Sequence, residues 1–478
     1  MFRSAAPALF RASGAPALRA ALLGVAGIYV VAFASLLVQL GPLLGSKGLT
    51  PIAEAVGAYP AGEGFLLAPS LLWFVNSDAI LTALACLGLT GSILAVFLSA
   101  PIRNPHSGAV SRPALGLLFA GLWAIYLSFV QLGDRWYGYG WETLLLEAGA
   151  LTAVLAATGS GAILWLYRWL AFRLMFGAGM IKVRGDDCWR DLTCLRYHFE
   201  TQPIPNPLSW SLHQLPPWIL DAGVVWNHVV ELIVPWGLFH PRARPVSAWI
   251  LVLFQAMLIV SGNLAFLNWL TLAICVPVAL DRPGTAPPIE GWRRGFTTAW
   301  LALVAILSIG PAWNLVSSDQ RMNASFDRLH LVNTYGAFGS VGRERLEIVL
   351  EGWDGENWLA WEFPFKPGDP DRRPPIIAPF QPRLDWQIWF AAQQPPGRNL
   401  WLVHLLYQLL TGQPGPKSLL ANDPFPDGPP LRVRADLYRY TFTDTGPDWW
   451  DRERQGAYLP AFDLDDPGIQ QIAAEQGW

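Results

Sequence analysis

The chain is poor in charge. Only 14% of its 478 residues are Asp, Glu, Lys or Arg, against 53% hydrophobic residues. A soluble globular chain carries about 25% charged residues, so a wholly soluble fold is excluded. The mean hydropathy of +0.31 points instead to a multi-pass membrane protein with a soluble part attached. The net charge is −3, which argues for no nucleic-acid partner. Cysteine is scarce: Cys86, Cys188, Cys194 and Cys275 are the whole complement. GxSxG, P-loop, GxGxxG, HExxH and paired CxxC motifs are all missing. By motif the chain is therefore no lipase, kinase or dehydrogenase. No cofactor and no metal is expected; His228, Glu231 and His198 are ligand types, but their spacing is unspecific. No internal repeat is found.

What the chain has is long apolar runs. Nine segments stand out, at roughly 20–45, 77–99, 114–132, 142–158, 161–181, 222–239, 246–261, 264–280 and 296–315. Spanning takes about 20 residues, so the seventh and eighth are short. They meet at Ser261-Gly262-Asn263 and are two tilted spans or a re-entrant pair. The run Gly64–Val75 is too short to span and is expected at the membrane interface. The first run follows Arg3, Arg11 and Arg19, like a signal peptide, but it is too long for a signal's apolar region and is expected to be a retained span. Basic residues also cluster at Arg103 and Arg112, at Arg242 and Arg244, and at Arg282, Arg293 and Arg294. With nine spans all these clusters share the cytoplasmic side with the N-terminus. The loop 182–220 and the C-terminal region then face the periplasm or the ER lumen. Arginine outnumbers lysine heavily in an Ala-, Gly- and Pro-rich chain, a hint of a GC-rich bacterial genome. The expected membrane is the bacterial inner membrane for a bacterial chain and the ER membrane for a eukaryotic one.

The predicted domains are a polytopic α-helical membrane domain over 1–316 and a soluble domain over 317–478. In the second, charge rises and proline is dense between Pro364 and Pro382. Alternation at 346–350 and 431–440 predicts strands, and 385–392 and 400–410 read as helices. An α+β or β-sandwich-like domain follows. Its many tryptophans are expected mostly in the core, with Arg383 and Asp385 as a buried ion pair.

The chain is expected to be organised around 168–207, which carries Arg168, Arg173 and Lys182 along one apolar span. A charge at the centre of a span costs at least ~2.5–3.5 kcal/mol, so partners are required. Glu142 and Glu147, early in the fourth segment, are the expected structural partners of Arg168 and Arg173. Lys182, His228, Glu231 and Glu142 are the candidate catalytic set of an outward polar cavity, His228 and Glu231 sharing a helix face. Desolvation there would favour the neutral amine of Lys182, which could act as a base. Cys188 and Cys194 lack the CxxC spacing of a redox centre. A structural disulfide, free thiols and a redox-active pair are all open. Asp186 and Asp187 would make Cys188 a poorer nucleophile. Cys86 and Cys275 lie in apolar runs and are expected to be buried and inert.

Several stretches resemble the lipase maturation factor family. They are Arg173-Leu174-Met175-Phe176-Gly177-Ala178-Gly179-Met180-Ile181-Lys182, Cys188-Trp189-Arg190-Asp191-Leu192-Thr193-Cys194, His198-Phe199-Glu200-Thr201-Gln202-Pro203 and Pro205-Asn206-Pro207. Further matches are Asn227-His228 with Glu231, Ser261-Gly262-Asn263-Leu264, Asn333-Thr334-Tyr335-Gly336-Ala337-Phe338-Gly339, Lys366-Pro367-Gly368-Asp369-Pro370 and Arg383-Leu384-Asp385-Trp386. The resemblance runs from about 133 to the C-terminus and is weaker before that. It implies a membrane protein that assists folding, maturation or export of secreted clients such as lipases, with a lumenal C-terminal domain and membrane lipids as neighbours; the client-binding residues are unknown. A fainter resemblance, Gly179-x-x-Lys182 followed by Trp189, is similar to the vitamin K-dependent carboxylase group, in which the matching lysine is a base. It implies, as the alternative, a membrane enzyme acting on a lipid or quinone-like substrate. The chain departs from that group's Asn-His pair, reading Gly140-Trp141-Glu142 there.

Overall fold

A computed structural model describes residues 10–60, 62–100, 112–282, 288–444 and 448–478. Arg3 and Arg103 of the basic clusters lie outside these residues. The N-terminal two thirds is helical: α1 (Ala15–Leu44), α2 (Asp78–Ser99), α3 (Arg112–Leu132), α4 (Gly140–Thr158), α5 (Gly161–Arg184), α6 (Pro217–His228), α7 (Arg244–Ser261), α8 (Leu267–Leu280), α9 (Gly291–Leu307) and α10 (Ile309–Val316). α6 runs on through a π-turn, Val229–Ile233, and a 3₁₀ turn to Phe239.

Helices fall at all nine apolar segments. Among the described residues seven stretches are long and apolar enough to cross a membrane: α1 to α4, Pro217–Phe239, α7, and α9 with α10. The other two are exceptions for different reasons. α8 has only 14 residues, and α5 is long enough but carries Arg168, Arg173, Lys182 and Arg184. The chain is a multi-pass membrane protein.

α4 is the innermost helix, and small residues make that possible. A side chain at Gly149 would collide with the Tyr29 hydroxyl of α1, and one at Gly116 of α3 would stand 2.6 Å from Ala157 of α4. α2 lies at the rim. Its Cys86 is exposed, while Cys275 on α8 is buried. The expectation of two buried thiols is corrected for Cys86: hydropathy marks a span, not which face of it packs on protein. The run from Gly64 forms two short turns, Gly64–Leu67 and Leu71–Trp73, with Phe65, Leu66 and Phe74 exposed.

The C-terminal domain is built on β1 (Arg345–Trp353), β2 (Trp358–Trp361), β3 (Arg432–Phe442) and β4 (Trp450–Phe462), with α11 (Arg383–Ala392), α12 (Leu400–Leu410) and α13 (Pro467–Gln476). The sheet is antiparallel, in the order β2-β1-β3-β4. Its register places Glu351 opposite Arg434, and the two side chains pair at 2.7 Å. One four-stranded sheet among the described residues makes this an α+β domain rather than a sandwich. Trp361, Trp386, Trp401 and Trp450 are buried in its core.

Candidate functional site

Lys182 sits in the last turn of α5. Its Nζ lies 2.5 Å from Oε1 and 2.7 Å from Oε2 of Glu231, with the Asn227 amide oxygen at 3.5 Å. The Asn227 amide also donates to Glu231 Oε2 at 3.0 Å. The Trp189 ring completes the surround, its centroid 5.1 Å from Nζ. Glu231 falls within the π-turn, a one-turn expansion often found where a helix re-aims a side chain. Two glycines let α5 make these contacts. A Cβ on Gly179 would stand 2.6 Å from Leu232 and 3.0 Å from the Glu231 Cβ; one on Gly177 would stand 2.6 Å from the Tyr335 carbonyl oxygen.

The remaining two residues of the proposed cavity are held by other partners. His228 faces the Trp189 carbonyl oxygen, 2.9 Å from its Nε2. Glu142 shares no hydrogen bond with Lys182; its Oε1 accepts from Arg383 of α11 at 2.9 Å and its Oε2 from the Tyr126 hydroxyl. The four residues therefore form a pair, Lys182 with Glu231, and two residues with other partners. His198, on the short helix Leu195–Thr201, is buried beside the pair. Burial and then the charge of Lys182 push its imidazole down to about 4. Among the described residues no three His, Cys, Asp or Glu side chains gather closely enough to hold a metal ion.

The arginines are paired as well. Glu147 holds Arg173 and itself accepts from the Asn333 backbone N–H at 3.0 Å, the Asn333 side-chain amide at 3.2 Å and the Tyr335 hydroxyl at 2.8 Å. Arg168 pairs with Asp281, at the end of α8, instead of with a glutamate of α4; Arg244 adds a second contact to Asp281 at 3.4 Å. Cys188 and Cys194 form a disulfide, both buried. Asp186 does not act on a thiol there. It caps the short helix that follows it, accepting from the Cys188 N–H at 3.0 Å.

The other polar groups tie the C-terminal chain to the helices. Arg383 donates to Glu142 and to the Trp136 carbonyl, and Tyr137 lies 3.7 Å from its guanidinium carbon. The expected Arg383–Asp385 ion pair is corrected: residues two apart on a helix face different sides. Asp385 turns to the Phe365 and Lys366 N–H groups, at 2.9 and 2.8 Å. Arg345 of β1 donates to the carbonyls of Glu200, Gln202 and Pro203 and pairs with Glu347 at 2.5 Å, while Lys366 closes on Glu347 at 2.9 Å. Asn263, in the turn between α7 and α8, accepts from the Ile377 and Ala378 N–H groups and donates to the Pro375 carbonyl. Between the two parts lies a cavity of about 340 Å³, lined in part by Trp141, Leu267, Trp386 and Phe390. Neither Lys182 nor Glu231 lines it.

Comparison with known proteins adds to this geometry. Residues 17–284 match the family model described as the lipase maturation factor transmembrane domain, and 331–460 match the lipase maturation factor C-terminal domain. The chain is 38% identical to lipase maturation factor 1 of Homo sapiens, over 96% of this chain and 89% of that protein. It is 39% identical to the Bos taurus protein of the same name, over 93% and 88%. To lipase maturation factor 2 of Xenopus laevis it is 31% identical, over 95% and 84%. No solved structure matches.

Proposed function

The chain belongs to the lipase maturation factor family, and on that footing we propose that it assists the maturation and export of secreted lipases. The observation that carries the reading forward is the seam of buried polar contacts, Glu142 with Arg383, Glu147 with Asn333, and Asn263 with the 375–378 segment. Groups this deeply buried hold position only when mutually satisfied. The C-terminal sheet domain and the helix bundle thus form one rigid platform on which a client can be held. The domain division at 316/317 is retained in this reading. So is the orientation with the N-terminus cytoplasmic and the loop 182–220 and C-terminal domain on the lumenal or periplasmic side. Its support is the side shared by the basic clusters and a disulfide in that loop, which suits an oxidising compartment. Catalysis by Lys182 on a carboxylase-like core has no such support, since both Glu231 oxygens engage its amine.

The test is complementation. Cells that lack their own lipase maturation factor and express a dimeric lipase should secrete more active lipase when this chain is supplied. A chain that reaches the membrane at normal level without raising secreted activity would sink the proposal.

A further inference from the structure

α3, α4 and α9 leave an open apolar groove of about 520 Å³ between them, a volume typical of small-ligand sites. Gly116 and Ala120 of α3 and Ala153 and Ala157 of α4 form its floor, and Trp123 and Trp300 are on its walls. From Pro113 to Trp123 on one wall is ten residues, about 15 Å of helix. That is half of a ~30 Å hydrocarbon core, the depth of one leaflet.

Neither Arg112 nor Arg293 lines the groove, but Arg112 precedes Pro113 and Arg293 follows Trp292, and both of those neighbours line it. There α4 stops at Gly159, and two guanidiniums converge on that residue. A Cβ on Gly159 would collide with Nη1 of Arg112 and stand 3.3 Å from Nη2 of Arg293. Arg293 donates from Nε to the Thr158 carbonyl at 2.7 Å and forms no ion pair with a carboxylate among the described residues. The acidic residue nearest in sequence, Glu290, is exposed.

We propose that this groove binds one anionic phospholipid, its phosphate at Arg112 and Arg293 and an acyl chain between α3, α4 and α9. Two observations converge. The walls belong to helices apolar enough to cross a membrane, so acyl chains are the solvent they meet. The two positive charges stand next in sequence to lining residues Pro113 and Trp292, just beyond one end of the groove, where a headgroup lies. Basic pockets between spans bind anionic headgroups by this complementarity.

The experiment uses the full chain, delipidated in neutral detergent and titrated with dioleoylphosphatidylglycerol or dioleoylphosphatidylcholine, with adducts counted by native mass spectrometry. The one-to-one adduct should form at about tenfold lower concentration of phosphatidylglycerol. Arg112→Gln with Arg293→Gln should remove the preference. Ala120→Trp, which fills the floor and leaves both arginines, should remove the phosphatidylglycerol adduct. Equal binding of the two lipids by the unaltered protein would overturn the proposal. So would a preference that survives the arginine changes, or one that survives the filled groove. If the arginine variant does not fold, the unaltered protein and Ala120→Trp still decide.

Discussion

Glu142 and Arg383 are 241 positions apart in the chain, yet their side chains meet at 2.9 Å with neither exposed to solvent. One comes from the first turn of α4, the other from the first turn of α11. Removing one partner of a buried pair strands the other charge, at a cost of about 3–5 kcal/mol. Arg383→Ala should therefore lower the thermal midpoint of the purified protein sharply. Arg383→Lys should recover part of the loss, because both contacts are made by the single nitrogen Nη1 and an ammonium carries three donors, while the planar packing on Tyr137 is lost. A midpoint unchanged by Arg383→Ala would show the pair to be dispensable.

Glycine substitutions should split by position. In a helix, Gly→Ala normally stabilises by about 0.5–1 kcal/mol. Gly27 and Gly121 have open space where a Cβ would go, so alanine there should leave the midpoint unchanged or raise it. Gly177→Ala and Gly179→Ala should lower it, because the new methyl meets the Tyr335 carbonyl or Leu232 at 2.6 Å. The same sign at all four positions would show that close approach of α5 is not what these glycines serve.

Lys182 and Glu231 can be separated from any chemistry by removing both charges. Lys182→Met alone leaves a buried carboxylate and should lower the level of protein in the membrane. Lys182→Met with Glu231→Leu removes both, which for a structural pair is close to neutral. Secreted lipase activity in the complementation assay should then return with the protein level. A double variant present at normal level and without activity would mean that Lys182 does more than pair.

Asp385 carries a pH dependence. Burial pushes its carboxyl up to about 6 against the pull of two backbone N–H groups. With the folded value above the unfolded one, the folded state binds more protons between about pH 4 and pH 6. This group's contribution to stability therefore falls as pH rises through that window and is flat above it. Asp385→Asn keeps an oxygen for both N–H groups and does not titrate. It should be about 1–2 kcal/mol more stable than the natural protein at pH 7, with the difference shrinking toward pH 4. Midpoints that differ equally at pH 4 and pH 7 would contradict this.

The helices were legible because a lipid environment demands long apolar runs, and even α5 stood out through the charges it carries. β1 and β3 were legible from alternation, and the length of α12 matched its apolar run. Partnerships were another matter. Nothing periodic links Glu142 to Arg383, Arg345 to the 200–203 carbonyls, or Asn263 to the 375–378 segment, because contacts across such separations leave no local pattern. Arg383 and Asp385 looked like partners only because they are neighbours in sequence. Cys86 looked buried because an apolar run in a membrane says nothing about which face meets lipid. Lys182, Glu231, His228 and Glu142 were all recognisable as polar residues near span ends. Their division into one pair and two separate contacts depends on the π-turn, which has no sequence signature, and on where α11 docks, which its own periodicity does not record.

The most direct test of a single rigid platform is a double-mutant cycle across the seam, with Glu142→Gln, Arg383→Met and the two together, read as thermal midpoints of the full chain. If Glu142 and Arg383 hold the bundle and the sheet domain together, each single change lowers the midpoint, and the double variant is no less stable than the worse single one. If the two losses simply add, the residues act independently, and the joined platform is contradicted.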